Sequence, residues 1–350
     1  MNDEMEARWE ALKSPQQDGG SGGAPQGFTP RVGAYRPLSE AADEFARWAS
    51  RPEERVYLGI EALDAEMRGI APGEMCLLIG HSHGGKTLTL LQILRATRNR
   101  RVVVFTPDEP RPLVLIKLAA VTHGVRAREI EDRIASGDQS AVDMLKATAT
   151  EDFPTLAVFD QTIGIGDMER CMGEVTDLWG ASPELVVFDY LQLLGGDGDA
   201  PSQASALKAW GRRHNVPLLV IHQTSRSSGA DGKRLTISSG AYGGEQQATH
   251  IIGVRRKLFE IEAELAEIES KLDKSGSGGS ERLLEQQEYL RHMERIHKHT
   301  ITVSLVKNKR PDASRLPEID FEIEKGTGRL WKLDDGVLPE QYLQEVRGGQ

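Results

Sequence analysis

Apolar residues fall into short unbroken runs separated by stretches with a helical repeat, and this alternation predicts one sheet covered on both faces. The runs at 75–79, 101–106, 155–159, 185–188, 218–221, 251–254 and 300–306 read as strands. VVVF, LVVF and LLVI lack the polar alternation of a half-exposed strand, so they belong in a mainly parallel sheet buried beneath helices. Residues 319–323 and 328–333 read as a closing hairpin, with a polar tail at 336–350. Upstream, 2–13 has a short helical pattern, and 14–37, rich in Gly, Pro and Gln, reads as a flexible linker. The stretch LSEAADEFARWA at 38–49 sets Leu38, Ala42, Phe45 and Trp48 or Ala49 on one face of a short helix. That face packs either on its own domain or on a neighbouring subunit. The expected organisation is an arm at 1–56 carrying this docking helix, one α/β domain at 57–335, and the tail.

The period changes between 255 and 299. Leu258, Ile261, Leu265, Ile268 and Leu272 recur at spacings of three and four, a heptad seam on a helix rich in Glu and Lys. A Ser-Gly turn at 275–280 ends it, and Leu283, Leu290, Met293 and Ile296 supply a facing stripe. The segment is therefore expected to be an antiparallel helical hairpin inserted in the domain, packed on itself or gripping a partner protein. His292, His297 and His299 lack the spacing of a metal site.

Composition narrows the class without naming an activity. At 350 residues the chain is long enough for one large α/β domain with appendages. Two cysteines, Cys76 inside an apolar run and Cys171, give no disulfide framework and suit a reducing compartment. The acidic start, MNDEMEARWE, is unlike a signal peptide and no run approaches a membrane span, so a soluble cytoplasmic protein is expected.

The candidate chemistry sits between the run at 75–79 and the helical pattern from Leu88. There the sequence spells G-x-x-x-x-G-K-T, with Gly80, Gly85, Lys86 and Thr87 at the fixed positions. Gly80, Gly84 and Gly85 allow the backbone N–H groups to approach phosphate oxygens, and the N-terminus of the helix opening near Leu88 adds partial positive charge. Lys86 is placed to reach the β and γ phosphates of a nucleotide, and the Thr87 hydroxyl to hold Mg2+. ATP and Mg2+ are the expected ligands. His81 and His83 occupy the free positions of the turn.

Three other strand ends carry groups that complete an ATPase. LVVFD places Asp189 where a carboxylate holds Mg2+ through water. FTPDE offers Asp108 and Glu109, either of which is able to orient the attacking water. LLVIH leads to Gln223, whose amide both donates and accepts and so can report a γ-phosphate. At the end of 300–306, KNKR supplies Lys307, Lys309 and Arg310, any of which is suited to stabilise charge on a transferred phosphoryl group in an adjacent subunit.

In this order the motifs resemble the C-terminal motor domain of DnaB-like replicative helicases, in the RecA-like branch of P-loop ATPases. The likeness begins at LGIEALDAEMRGIAPGE and continues through FTPDEP, FDYLQLL, VPLLVIHQTSR, SGAYGGEQQATH and LVKNKR, covering about residues 57–331. It implies a RecA-like core and a hexameric ring moving along single-stranded DNA with ATP bound between subunits. It further implies Asp189 as the Mg2+-side aspartate, Gln223 as the phosphate sensor, the Asp108/Glu109 pair as the source of the catalytic carboxylate, and a basic pair acting in trans, taken here as Lys307 and Arg310 with Lys309 as competitor. The family's large N-terminal domain has no counterpart in this sequence, a compact build that resembles phage-encoded versions. A filament-forming RecA-like recombinase and an ATP-dependent loader or regulatory ATPase are the alternatives.

Charge supports nucleic acid independently. Within 201–259 nine Lys or Arg face only Asp231 and Glu245, a local excess of +7 in a chain of −10. The Gly- and Ser-rich part at 225–244 contains Arg226, Lys233 and Arg234 and is expected to follow a phosphate backbone, with Glu245 at its end. Tyr242 is the one aromatic residue nearby, so binding through phosphates with little sequence preference is expected.

Overall fold

The computed structural model describes residues 38–162, 164–189, 191, 199–224, 234–239, 244–274, 280–310 and 316–333. The helix at 2–13, the linker, Arg226, Lys233, Tyr242, most of the Ser-Gly turn and the tail lie outside the described residues. Contacts divide the chain into two units, Met1–Ala49 and Ser50–Gln350. In the first, the helix α1 (Leu38–Ser50) forms as its periodicity predicts, and the Phe45 ring stacks on Trp48 with centroids 5.4 Å apart.

Among the described residues the second unit is organised on nine strands: β1 (Met75–Gly80), β2 (Val102–Phe105), β3 (Leu156–Phe159), β4 (Leu185–Phe188), β5 (Leu218–Gln223), β6 (His250–Arg256), β7 (Thr300–Asn308), β8 (Glu318–Ile323) and β9 (Leu330–Lys332). Their order in the sheet is β3-β2-β4-β5-β1-β6-β7-β8-β9, parallel from β3 to β6 and antiparallel beyond. The helices in chain order are α2 (Glu61–Met67), α3 (Lys86–Ala96), α4 (Arg111–His123), α5 (Ala127–Ala135), α6 (Gln139–Ala147), α7 (Ile165–Trp179), α8 (Ala200–Arg213), α9 (Lys257–Lys274) and α10 (Ser280–His297). No described helix is long and apolar enough to cross a membrane.

Burial explains the unbroken apolar runs. Every residue of β1 is buried, and successive side chains enter opposite halves of the core. Cys76 and Leu78 join Leu63 and Met67 of α2, Leu90 and Leu94 of α3 and Leu118 of α4. Met75, Leu77 and Ile79 join Met168 and Val175 of α7 and Leu207 and Trp210 of α8. Each such side chain contributes about 1.5–3 kcal/mol by leaving water, so a polar residue at either phase of the strand would be costly. Because β1, β2, β4 and β5 run the same way, their ends converge on one edge of the sheet, where a doubly covered parallel sheet binds ligands.

The end of β6 extends further than the apolar pattern predicts. β6 runs on from Val254 through Arg255 and Arg256 because these pair with Thr302 and Ile301 of β7. Arg255 is tied to Glu260 and, at 2.7 Å, to Glu318, so its charge is answered inside the fold. The hairpin then closes on Ile261, Leu265, Ile268 and Leu290, with Leu272, Leu283 and Met293 alongside. Ile296 is 49% exposed and falls outside the stripe expected for it.

Candidate active site

The phosphate loop is shaped by what its glycines permit. A Cβ on Gly80 would stand 2.6 Å from the Val254 carbonyl oxygen, and one on Gly84 2.9 Å from that of His81. Gly85, at φ 105°, is the N-cap of α3, a backbone state that side chains rarely adopt. His83 also has positive φ, at 60°. Beyond the loop, the Thr89 hydroxyl donates to the Gly85 carbonyl at 3.1 Å, Thr87 is exposed in the first helical turn, and Leu88 is partly buried. A cleft of about 350 Å³ is lined by His83, Gly84, Gly85, Lys86, Thr87, Leu88 and Arg256.

Charge in this cleft is under tension. Lys86 Nζ donates to the Gly80 and His81 carbonyls at 3.0 and 2.8 Å. Burial pulls its ammonium down to about 8, against the opposing pull of Asp189. Burial pushes the Asp189 carboxyl up to about 6; Lys86 lowers it, and Glu109 and Asp108 raise it. The Asp189 N–H donates to the Phe105 carbonyl at 2.8 Å, which locks the end of β4 beside β2. Both groups are therefore poised to gain a counter-charge: an anion over Lys86 and a cation near Asp189. No group of three or more His, Cys, Asp or Glu among the described residues forms a protein cage for a metal. A hydroxyl and one carboxylate suit Mg2+ completed by phosphate and water oxygens.

The two carboxylates after β2 separate in space. Glu109 is ion-paired with Lys117 of α4, whereas Asp108 is exposed beside it. On the other side, Gln223 stands opposite Gly80 in the β1–β5 register, and the Thr224 N–H donates to the Gly80 carbonyl at 3.2 Å. The preceding His222 is buried, its Nε2 3.4 Å from Glu245 Oε1.

Two expectations are corrected here. Arg310 does not project from β7: Nη1 and Nη2 each reach a Glu74 oxygen at 2.7 Å, and Nε and Nη2 donate to the Met67 and Gly69 carbonyls at 3.1 and 3.2 Å. A guanidinium held by these bonds and 10% exposed is a clamp within its own subunit. Lys309 is exposed, and Lys307 Nζ donates to the Glu245 carbonyl at 2.8 Å. Glu245 likewise cannot face nucleic acid, because its side chain is buried against His222.

The basic segment is partly neutralised from outside its own stretch of sequence. Arg213 meets Glu169 at 3.1 Å, Lys257 pairs with Asp320, and Arg234, though exposed, lies 3.4 Å from Glu318. Counting charge within 201–259 missed these partners. It also gave Arg256 no separate role, although this residue lines the phosphate-loop cleft while its neighbours Arg255 and Lys257 are both taken by carboxylates.

Comparison with known proteins places this geometry. The sequence model of the DnaB-like helicase C terminal domain matches residues 56–294. Among solved structures, an ATPase domain superposes with TM-score 0.61 at 18% identity, over 85% of this chain and 99% of that one. A DnaB-like replicative helicase, solved in a study of its interactions with primase, superposes with TM-score 0.60 at 16% identity, over 93% and 70%. At such identities these likenesses speak for the fold. No curated protein matches the chain in sequence.

Proposed function

The chain belongs to the DnaB-like helicase C-terminal domain family, and on that premise we propose that it is an ATP-driven replicative DNA helicase, a ring-forming motor that moves along single-stranded DNA in the cytoplasm. The observation that carries this reading is the glycine cradle with the partly buried Lys86 and Asp189 beside it, where burial lowers the ammonium and raises the carboxyl. ATP lays its phosphates on the backbone of 80–87, with Lys86 on the β and γ oxygens and Arg256 alongside. Thr87 and Asp189 would hold Mg2+, which would supply neutralising charge to the phosphates.

Asp108, free of the Lys117 contact that engages Glu109, orients the attacking water. Gln223 reads the γ-phosphate from the adjoining strand. Lys309 replaces Arg310 as the cation offered to the neighbouring copy's site in a hexameric ring, since it is exposed just after β7, whereas Lys307 is engaged by the Glu245 carbonyl within its own subunit. Arg226, Lys233 and Arg234 contact DNA phosphates, and the α9–α10 hairpin is a surface for a replication partner.

The test is ATP-dependent unwinding of a tailed DNA fork. Wild-type protein should separate the strands, and Lys86→Ala should abolish both hydrolysis and unwinding. Helical filaments with strand exchange would instead indicate a recombinase, and slow hydrolysis indifferent to DNA a loader or regulatory ATPase.

A further inference from the structure

We propose that Glu245 is a positioning residue for ATP turnover: through buried His222 it holds the end of β5 so that Gln223 stays aimed at the nucleotide edge. The proposal rests on the ATPase reading above. It begins from the register: Ile79 faces His222 and Gly80 faces Gln223 across the β1–β5 ladder, so the sensor amide and the first loop glycine share one rung. His222 precedes Gln223 and is fully buried, with Glu245 as the acid 3.4 Å from its Nε2.

Glu245 belongs to the one-turn segment Gly244–Gln246, which is tied in several directions. The carbonyls of Glu245 and Gln246 accept from Lys307 Nζ at 2.8 and 3.4 Å, and that of Gln247 accepts from Lys208 Nζ at 2.6 Å. Two residues on, the Thr249 N–H donates to the Met75 carbonyl at 2.8 Å while its own carbonyl receives the Lys309 N–H at 3.1 Å. One short stretch therefore fixes the sensor strand, the basic end of β7, helix α8 and the start of β1.

The electrostatics agree. Burial alone would push the Glu245 carboxyl up, but the adjoining His222 imidazole, its own backbone N–H and, more weakly, the charge of Lys307 outweigh it and leave the group below the usual carboxylate range. An apolar pair of similar volume would serve stability at least as well as a buried carboxylate and imidazole, so stability alone does not account for this one. Its place, one residue from Gln223, gives it a task in aligning the site.

The experiment compares Glu245→Leu, His222→Leu and His222→Gln, the last of which keeps a donor for Glu245. Steady-state ATP turnover is measured with hydrogen exchange of peptide 218–224 in nucleotide-free protein. Glu245→Leu and His222→Leu should each lower kcat about tenfold with KM nearly unchanged, the signature of a lost alignment rather than lost binding. The double variant should fall no further than either single one. His222→Gln should recover most of the loss, and exchange at the end of β5 should quicken in the two impaired variants only. Unchanged kcat with unchanged exchange would overturn the proposal, as would additive losses or a rise in KM matching the fall in kcat. If the wild-type protein proves unable to hydrolyse ATP, the functional reading fails, while the exchange comparison still decides whether Glu245 holds this strand end.

Discussion

Replacing Arg310 by alanine should destabilise the protein much more than it damages a neighbour's catalysis. The guanidinium makes two 2.7 Å bonds to Glu74 and two more to backbone carbonyls, and the paired side chains are 10% and 18% exposed. Removing one partner of such a pair leaves the other charge buried and costs about 3–5 kcal/mol. Taking the lower figure, because the Ala71 N–H and His250 still serve Glu74, the melting temperature should drop by about 5–10 °C. The sign with pH is a second readout. In the wild type burial raises the Glu74 carboxyl, but His250, the Ala71 N–H and Arg310 together bring it below its ordinary 4.5. A carboxyl depressed in the folded state contributes stability above the unfolded value, and this is lost as pH falls through the folded one. Without Arg310 the opposition to burial weakens and Glu74 moves upward, so the variant should lose less stability on acidification than the wild type. Denaturant melts of both proteins between about pH 2.5 and 6, which span the fall from the ordinary carboxyl value through the depressed one, measure this directly. An Arg310→Ala protein with wild-type melting but no ATP turnover would refute the clamp and return this side chain to the neighbour's site.

Further predictions follow from the same contacts. Gly80→Ala should cost about 1–3 kcal/mol by overpacking against the Val254 carbonyl and Lys86, and should weaken nucleotide binding, read by titration with a fluorescent ATP analogue. For free enzyme and substrate, kcat/KM should fall below about pH 6, where Asp189 takes a proton, and above about pH 8, where Lys86 loses one; a flat profile between pH 5 and 9 would contradict both assignments. Leu265→Asp, placed in the hairpin's buried seam, should remove helical circular dichroism from α9 and α10 while leaving ATP turnover within twofold of wild type.

The sheet was legible because its signal is local. Residues 75–79 and 185–188 are apolar at both phases, which is what burial under helices on both faces requires, and the loop after β1 announces itself by residue type and spacing. What escaped depends on partners distant in sequence. Arg310 reads as an exposed strand-end cation until Glu74 is brought to it, and Glu245 reads as the end of a basic loop until His222 buries it. The choice between Asp108 and Glu109 turns on Lys117, whose location on α4 places it beside the second carboxylate. Leu258 and Ile296 fit the heptad spacing but lie outside the hairpin's packed cluster, whose seam is shorter than the repeat suggested.

Mixing two inactive variants tests most directly whether the nucleotide is shared between copies. Lys86→Ala removes the phosphate grip of one subunit, and Lys309→Ala removes the cation offered to the next. Each should be inactive alone. In rings assembled from equal amounts, about a quarter of the seams would pair an intact loop with an intact Lys309, so ATP turnover should return to about that share of the wild-type rate. Silence at every mixing ratio, or full turnover by wild-type protein held as a monomer, would contradict the account.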